Sequence, residues 1–269
     1  MLNTVYRLVE PRRIESEFSN IDVNGDSVLV RPTHLSICNA DQRYFQGTRP
    51  PEVLKKKLPM ALIHEATGEV IYDPAGDFES GQKVVMVPNT PMEEDDIVAE
   101  NYLRSSKFRA SGFDGFMQDI VAMRRDRVVA VPDGIDDYVA AFTELVSVSY
   151  HAIDRFDRKA HGRRDVLGVW GDGNLAFITS LLLKKRFPES KVYIFGKHEY
   201  KMDDFVFADE TFFIDAIPED LRIDHGFECV GKAGSGTSIN QIIDYINPEG
   251  CIAALGVSED PVPINTRMI

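Results

Sequence analysis

Cysteine is scarce in this chain: three among 269 residues, at positions 38, 229 and 251. Odd in number and far apart, they exclude a disulfide framework and point to a reducing, cytoplasmic setting. Long apolar runs are missing too, since none approaches the ~18 residues of a membrane helix. The opening Met1-Leu2-Asn3-Thr4-Val5-Tyr6 lacks the basic-then-apolar order of a signal peptide. Positive charge is in deficit, with 30 Lys and Arg against 43 Asp and Glu and a net charge of −13. Nucleic acid and anionic membrane are therefore poor partners. A small phosphorylated substrate is still possible, because one local basic cluster is enough. Internal repeats and low-complexity segments are absent, and the acidic run Glu93-Glu94-Asp95-Asp96 reads as a solvated loop.

What is present divides in two. Residues 1–150 read as mostly β, with candidate strands at 27–31, 66–72, 83–87, 116–122 and 127–131. Turn signals such as Asn24-Gly25-Asp26, Asp73-Pro74-Ala75-Gly76 and Pro132-Asp133-Gly134 separate them. A helical pattern covers 135–156, and the charged stretch 154–164 reads as a surface connection. Residues 151–269 alternate: strand 166–170 and its helix, strand 191–195, helix 201–207, strand 211–214, strand 226–230, helix 238–246 and strand 251–257. That order predicts a doubly wound parallel α/β unit.

The first strand of this unit runs into Gly171-Asp172-Gly173-Asn174-Leu175-Ala176. Strand, Gly-x-Gly-x-x-Ala and helix form the dinucleotide-binding fingerprint. Gly171 permits the tight turn, Gly173 lets backbone N–H groups approach a pyrophosphate, and Ala176 keeps the helix close to the strand. The helix N-terminus offers unpaired donors and the positive end of a dipole. An NAD enzyme ends its second strand in Asp or Glu for the ribose 2′-OH. Here that strand ends in Gly196-Lys197-His198, with no acid and a cation following, so NADP(H) is expected.

Cys38, His64-Glu65 and Glu144 stand out in the first part, although each alone has a bland reading as core or solvated residue. Cys38-Asn39-Ala40-Asp41, His64-Glu65, the segment from Glu144 through Ser149 to Ala152, and Phe227-Glu228-Cys229-Val230-Gly231 follow one another in order. Together they resemble the zinc-containing branch of the medium-chain dehydrogenase/reductase superfamily. Within it, Cys38 to Gly47, Ser111 to Met117 and Asn265-Thr266-Arg267 are similar to the bacterial ribulose-5-phosphate reductases, or ribitol-5-phosphate dehydrogenases, of teichoic-acid and capsule synthesis. The resemblance implies a GroES-like β domain followed by a Rossmann-type sheet, with zinc in the cleft between them. It assigns Cys38, His64 and Glu144 as zinc ligands, Glu65 as a fourth or alternate ligand, and Cys229-Val230 to the nicotinamide. The implied reaction is reduction of D-ribulose 5-phosphate by NADPH, the product passing to a cytidylyltransferase that makes CDP-ribitol. A homodimer is expected.

Thiolate, imidazole and carboxylate suit Zn²⁺, which would polarise the keto oxygen. Two departures from the wider family matter. Ala40 stands where relatives carry a proton-relaying hydroxyl, which leaves bound water or Asp41 as candidates. Residues 89–115, the region that holds a structural zinc in relatives, contain no cysteine, so one catalytic zinc and no structural zinc is expected. Arg43, Arg49 and the run Lys55-Lys56-Lys57 are candidates for the substrate phosphate or, equally, a solvated basic loop. Relatives continue beyond the strand at 251–257, so the fold is expected to be truncated at its C-terminal end. An unphosphorylated-polyol dehydrogenase of the sorbitol kind and a non-catalytic nucleotide-binding homologue remain open alternatives.

Overall fold

The computed structural model describes every residue except Asn24, Glu259 and Ile269, so the first residue of the expected 24–26 turn lies outside the described residues. Two units separate at Glu144/Leu145. The first opens with a hairpin, β1 (Leu2–Glu10) and β2 (Arg13–Asn20). Asn3, Val5 and Leu8 of β1 are buried, whereas β2 is largely exposed. Its Arg-Ile-Glu-Ser-Glu composition suits a sheet edge that must resist pairing. This hairpin was not anticipated: β2 buries too little to reveal a core face by alternation.

The remaining elements of the unit follow in order. β3 (Val28–Ser36) leads to the short helices α1 (Asn39–Gln46) and α2 (Pro51–Lys57). Then come β4 (Met60–Ala61), β5 (Glu65–Tyr72), β6 (Lys83–Met86), β7 (Asn89–Thr90), β8 (Lys107–Phe108), β9 (Val121–Met123) and β10 (Val128–Ala130). Five strands form one antiparallel sheet in the order β10-β6-β5-β3-β9, and β4 joins the hairpin through β1. Val30, Ala66, Val70, Val84, Phe116 and Met123 are among the side chains of its core. The strand expected at 116–122 is displaced. The amides of Phe116 and Met117 donate to the carbonyls of Ile63 and Leu62, and only Val121–Met123 joins the ladder of β3. The amides at 116–117 are thus paired to the approach of His64, while the Met117 carbonyl accepts the Tyr6 amide of β1 at 2.9 Å.

Helix α3 (Asp137–Ala140) and helix α4 (Thr143–Lys159) replace the single helix expected over 135–156. The charged stretch read as a connection continues α4 as far as Lys159, with Arg158 and Asp154 paired at 2.7 Å one turn apart.

The second unit is a five-stranded parallel sheet: β11 (Val166–Trp170), β12 (Lys191–Gly196), β13 (Glu210–Phe213), β14 (His225–Glu228) and β15 (Ile252–Ala254). Its order, β13-β12-β11-β14-β15, reverses direction beside β11, which is the doubly wound arrangement. The connecting helices are α5 (Asn174–Arg186), α6 (Glu199–Met202) and α7 (Gly234–Tyr245). Helix α6 is one turn, shorter than the expected 201–207, because Phe205 and Phe207 leave it to pack with Phe177. Trp170, fully buried, stacks on Phe195 at 3.8 Å. Among the described residues no helix is long and apolar enough to cross a membrane.

Candidate metal centre and cofactor turn

Cys38 leaves the end of β3 and caps α1, whose third residue is Asp41. The Asp41 carboxylate accepts from the Cys38 amide and thiol, both at 3.1 Å, through one oxygen. Its other oxygen accepts from the Ile63 amide at 2.8 Å. Asp41 is therefore the tie between the first thiol and the segment carrying His64, and both its oxygens are engaged. As the expected alternative proton relay it is 3 % exposed and already committed to this clamp. Ile63 adopts φ 72°, a left-handed backbone that costs a β-branched residue about 1–3 kcal/mol. The Asp41 bond to its amide and the Phe116 amide on its carbonyl hold it there.

That twist delivers His64 and Glu65 to the same place. Cys38 Sγ lies 3.5 Å from His64 Nε2, and the ligand atoms of Cys38, His64 and Glu65 all lie within 4.8 Å of one another. Phe108 meets the His64 ring edge-on at 5.2 Å, and His64 Nδ1 is buried with no hydrogen-bond partner. Glu65 faces Ser36 across the β3–β5 ladder and accepts its hydroxyl at 2.7 Å. Neither Ser36 nor Phe108 was singled out in the sequence. Ser36 lies only two residues before Cys38, but its role depends on strand register, which no local pattern reveals.

Electrostatically the site concentrates acids, with Asp41, Glu65 and Glu144 close enough to act on one another or on Cys38. Burial and then the Asp41 charge push the Cys38 thiol up to about 12. Burial raises the Glu65 carboxyl, against the Ser36 hydrogen bond. Glu144, second residue of α4, is raised to about 7 by burial and by the charges of Glu65 and Asp41. Burial lowers His64 and keeps the imidazole neutral. A divalent cation would bring the raised thiol and carboxyl groups back down and would find the imidazole already in the neutral form that binds metal, and S, N and O donors at this separation fit zinc. Glu144 stands outside the set of three mutually close donors but within reach of their charge.

Of the expected phosphate ligands, Arg43 and Arg49 are half-buried, Arg49 lying over the Tyr44 ring at 4.6 Å, while Lys56 is exposed. Lys57, not singled out individually, donates to Ser111 Oγ at 2.6 Å.

In the second unit, Gly171 ends β11 with φ 131°, where a Cβ would stand 3.3 Å from Ala176 Cβ and from the Cys229 carbonyl. Gly173 caps α5 with nothing within 4 Å of its Cβ position, and Asn174 is exposed. Ala176 is fully buried and Leu175 partly so. The turn thus offers bare amides at a helix start beside the switch point of the sheet. Beyond β12, Lys197 and His198 are exposed, and their amides donate to Asp172. Cys229 turns its thiol inward, 3.7 Å from Thr179 Oγ1, whereas Val230 is exposed. Glu228, also without an assigned role in the sequence, is fully buried and accepts the amides of Val230 and Gly231 at 2.8 Å. It shapes the loop that Val230 presents.

Residues 24–133 match the alcohol dehydrogenase GroES-like domain family. Along all 269 residues the chain is 59 % identical to ribulose-5-phosphate reductase of Bacillus spizizenii, covering 79 % of that protein. It is 58 % identical to ribulose-5-phosphate reductase 1 of Staphylococcus aureus over the same share. The crystal structure of S. aureus TarJ in complex with NADPH superposes with a TM-score of 0.87 at 52 % identity, covering all of this chain and 77 % of that one. L-idonate 5-dehydrogenase of Escherichia coli gives the same TM-score at 20 % identity, covering all of this chain and 80 % of that one, a likeness of fold alone. The chain belongs to the ribulose-5-phosphate reductase family of the medium-chain dehydrogenase/reductase superfamily.

Proposed function

We propose that the protein reduces D-ribulose 5-phosphate to D-ribitol 5-phosphate with NADPH, supplying CDP-ribitol synthesis for teichoic acid or capsule. The observation that carries this reading is the convergence of Cys38, His64 and Glu65 in a chain 59 % identical along its whole length to a ribulose-5-phosphate reductase. Cys38, His64 and Glu65, with Glu144 as further or alternate ligand, would hold one zinc ion. When bound, zinc supplies a Lewis acid for the ketone oxygen. The chain's own residues prepare that site. Asp41 aims the thiol, Ser36 fixes one Glu65 oxygen, and Phe108 sets the plane of the imidazole. With Ala40 unable to pass a proton and both Asp41 oxygens engaged, solvent is the source of the proton that the product hydroxyl acquires.

Gly171 and the amides opening α5 take the cofactor pyrophosphate, and Lys197 and His198 favour a 2′-phosphate over a bare ribose. Cys229 acts through its backbone, with Val230 as the side chain offered to the nicotinamide. Arg43, Arg49 and Lys56 remain the residues we assign to the substrate phosphate. A cytoplasmic homodimer delivering product to a cytidylyltransferase completes the reading; three free cysteines fit a reducing compartment.

The test is NADPH oxidation with D-ribulose 5-phosphate, D-ribulose and D-xylulose 5-phosphate, with and without a chelator. Turnover of the first alone, abolished by the chelator, is the expected result. Activity on unphosphorylated ketose would point to a polyol dehydrogenase, and inactivity of zinc-loaded protein on all three would refute the assignment.

A further inference from the structure

Asp172, the residue between the two glycines of the turn, does something that the fingerprint does not require. Its Oδ2 accepts three hydrogen bonds from the loop after β12: the Lys197 amide at 2.9 Å, the His198 amide at 2.9 Å and His198 Nδ1–H at 2.8 Å. Its Oδ1 lies 3.8 Å from Lys201 Nζ on α6. The side chain is only 14 % exposed. Burial opposes its ionisation, yet the donors of Lys197 and His198 hold the carboxyl below its ordinary range.

Gly196 explains why this arrangement is available. It closes β12, where an enzyme using NAD places the carboxylate for the ribose 2′-OH. A Cβ at Gly196 would lie 2.7 Å from Met202 Sδ and 3.1 Å from Asp172 Cβ. The space that an acidic side chain would need is already filled, partly by Asp172 itself. A carboxylate is present in the neighbourhood, but it enters from the glycine turn and its charge is spent on the loop.

We propose that Asp172 is a positioning residue for the 2′-phosphate of NADPH. It clamps the amides of residues 197 and 198, holds the His198 ring and draws Lys201 toward the exposed Lys197, fixing the rim that would face the phosphate. This rests on the NADPH reading above. Two opposed effects make the sign informative. Coulomb repulsion alone would make loss of Asp172 tighten binding of a dianionic phosphate. Loss of the clamp would weaken it, because the loop then pays an ordering cost on binding.

The experiment compares Asp172→Ala and Asp172→Asn in the full chain by direct NADPH and NADH titration, following quenching of protein fluorescence. Asn keeps an acceptor for the two amides and discards the charge. Asp172→Ala should raise the Kd for NADPH by roughly tenfold, the effect of losing a charged hydrogen-bond set, with a much smaller change for NADH. Asp172→Asn should recover most of the NADPH affinity. In cofactor-free protein, amides 197 and 198 should exchange faster with solvent in Asp172→Ala and not in Asp172→Asn. Unchanged or tighter NADPH binding by Asp172→Ala, or equal losses for both cofactors, overturns the clamp. If Lys197→Ala and Lys201→Ala lower the NADPH preference while Asp172→Ala does not, the clamp fails and the NADPH reading stands. A wild-type preference for NADH would instead overturn the reading itself.

Discussion

Ser36 and Glu65 are register partners on β3 and β5, and the Ser36 hydroxyl donates to Glu65 Oε2 at 2.7 Å inside the protein, where Ser36 is 5 % exposed and Glu65 1 %. The carboxylate is therefore oriented before any metal arrives. Partners of this kind contribute about 10–100-fold to metal affinity. Ser36→Ala should weaken zinc binding by that order, read by competition against a chromogenic chelator. NADPH affinity should stay as it is. Unaltered zinc affinity would mean that Glu65 is not a ligand.

The segment 89–115, without cysteine, is held by charge. Arg127, 9 % exposed, grips both Glu100 oxygens and Asp126. Ser105 donates to Glu93, and Arg124 to the Pro91 carbonyl. Glu100→Ala leaves the buried guanidinium with Asp126 alone and should destabilise the protein by about 1–3 kcal/mol. Metal analysis of wild type and variant should return one zinc per chain in both. Two per chain would contradict the proposal that this segment needs none.

Gly171→Ala tests the cofactor turn. At φ 131° an alanine is strained, and its methyl would press on Ala176 and the Cys229 backbone at 3.3 Å. The strand–helix contact must open, so NADPH binding should fall by at least about tenfold, with roughly 1–3 kcal/mol of stability lost to the strained backbone. Zinc content should be unaffected. Calorimetric titration with NADPH and a urea melt measure the two effects.

His225 supplies a pH dependence. The ring is fully buried, its Nε2–H donating to the Arg163 carbonyl at 2.9 Å and its Nδ1 accepting the Cys251 amide at 3.0 Å. Both nitrogens are satisfied only in the neutral form. Burial, and then the neighbouring His161, lower it to about 4. The unfolded chain takes up this proton near pH 6.5 and the folded chain does not. The contribution is thus complete above about pH 6.5 and is lost as pH falls from there toward 4, on the order of 3 kcal/mol in all. Urea midpoints between pH 7 and 4 should fall more steeply for wild type than for His225→Gln. Parallel curves would remove His225 as the cause.

Local chemistry made much of this protein legible in its sequence. The parallel unit, its glycine turn and the strand ends at 170 and 195–196 follow from apolar runs punctuated by Gly, and they stand in the structure within a residue or two. Cys38, His64-Glu65 and Glu144 could be picked out because their order matches a family pattern. The hairpin Leu2–Asn20 and the break between α3 and α4 were not legible, because polar edge strands and helix interruptions leave only weak periodicity.

The sequence by itself determined the donor types, the missing acid at Gly196 and the missing cysteines of 89–115, since these are matters of residue identity. Only the tertiary structure decided what those residues hold. Asp41, one of two candidates for the proton relay, ties together two segments 22 residues apart, which meet on its two oxygens. Ser36 joins the candidate metal centre because antiparallel register sets it opposite Glu65. Asp172 reaches across 25 residues to the loop after β12 because parallel strands lie side by side. Hydrogen bonds and charges act over a few ångströms of space, and separation along the chain does not enter them.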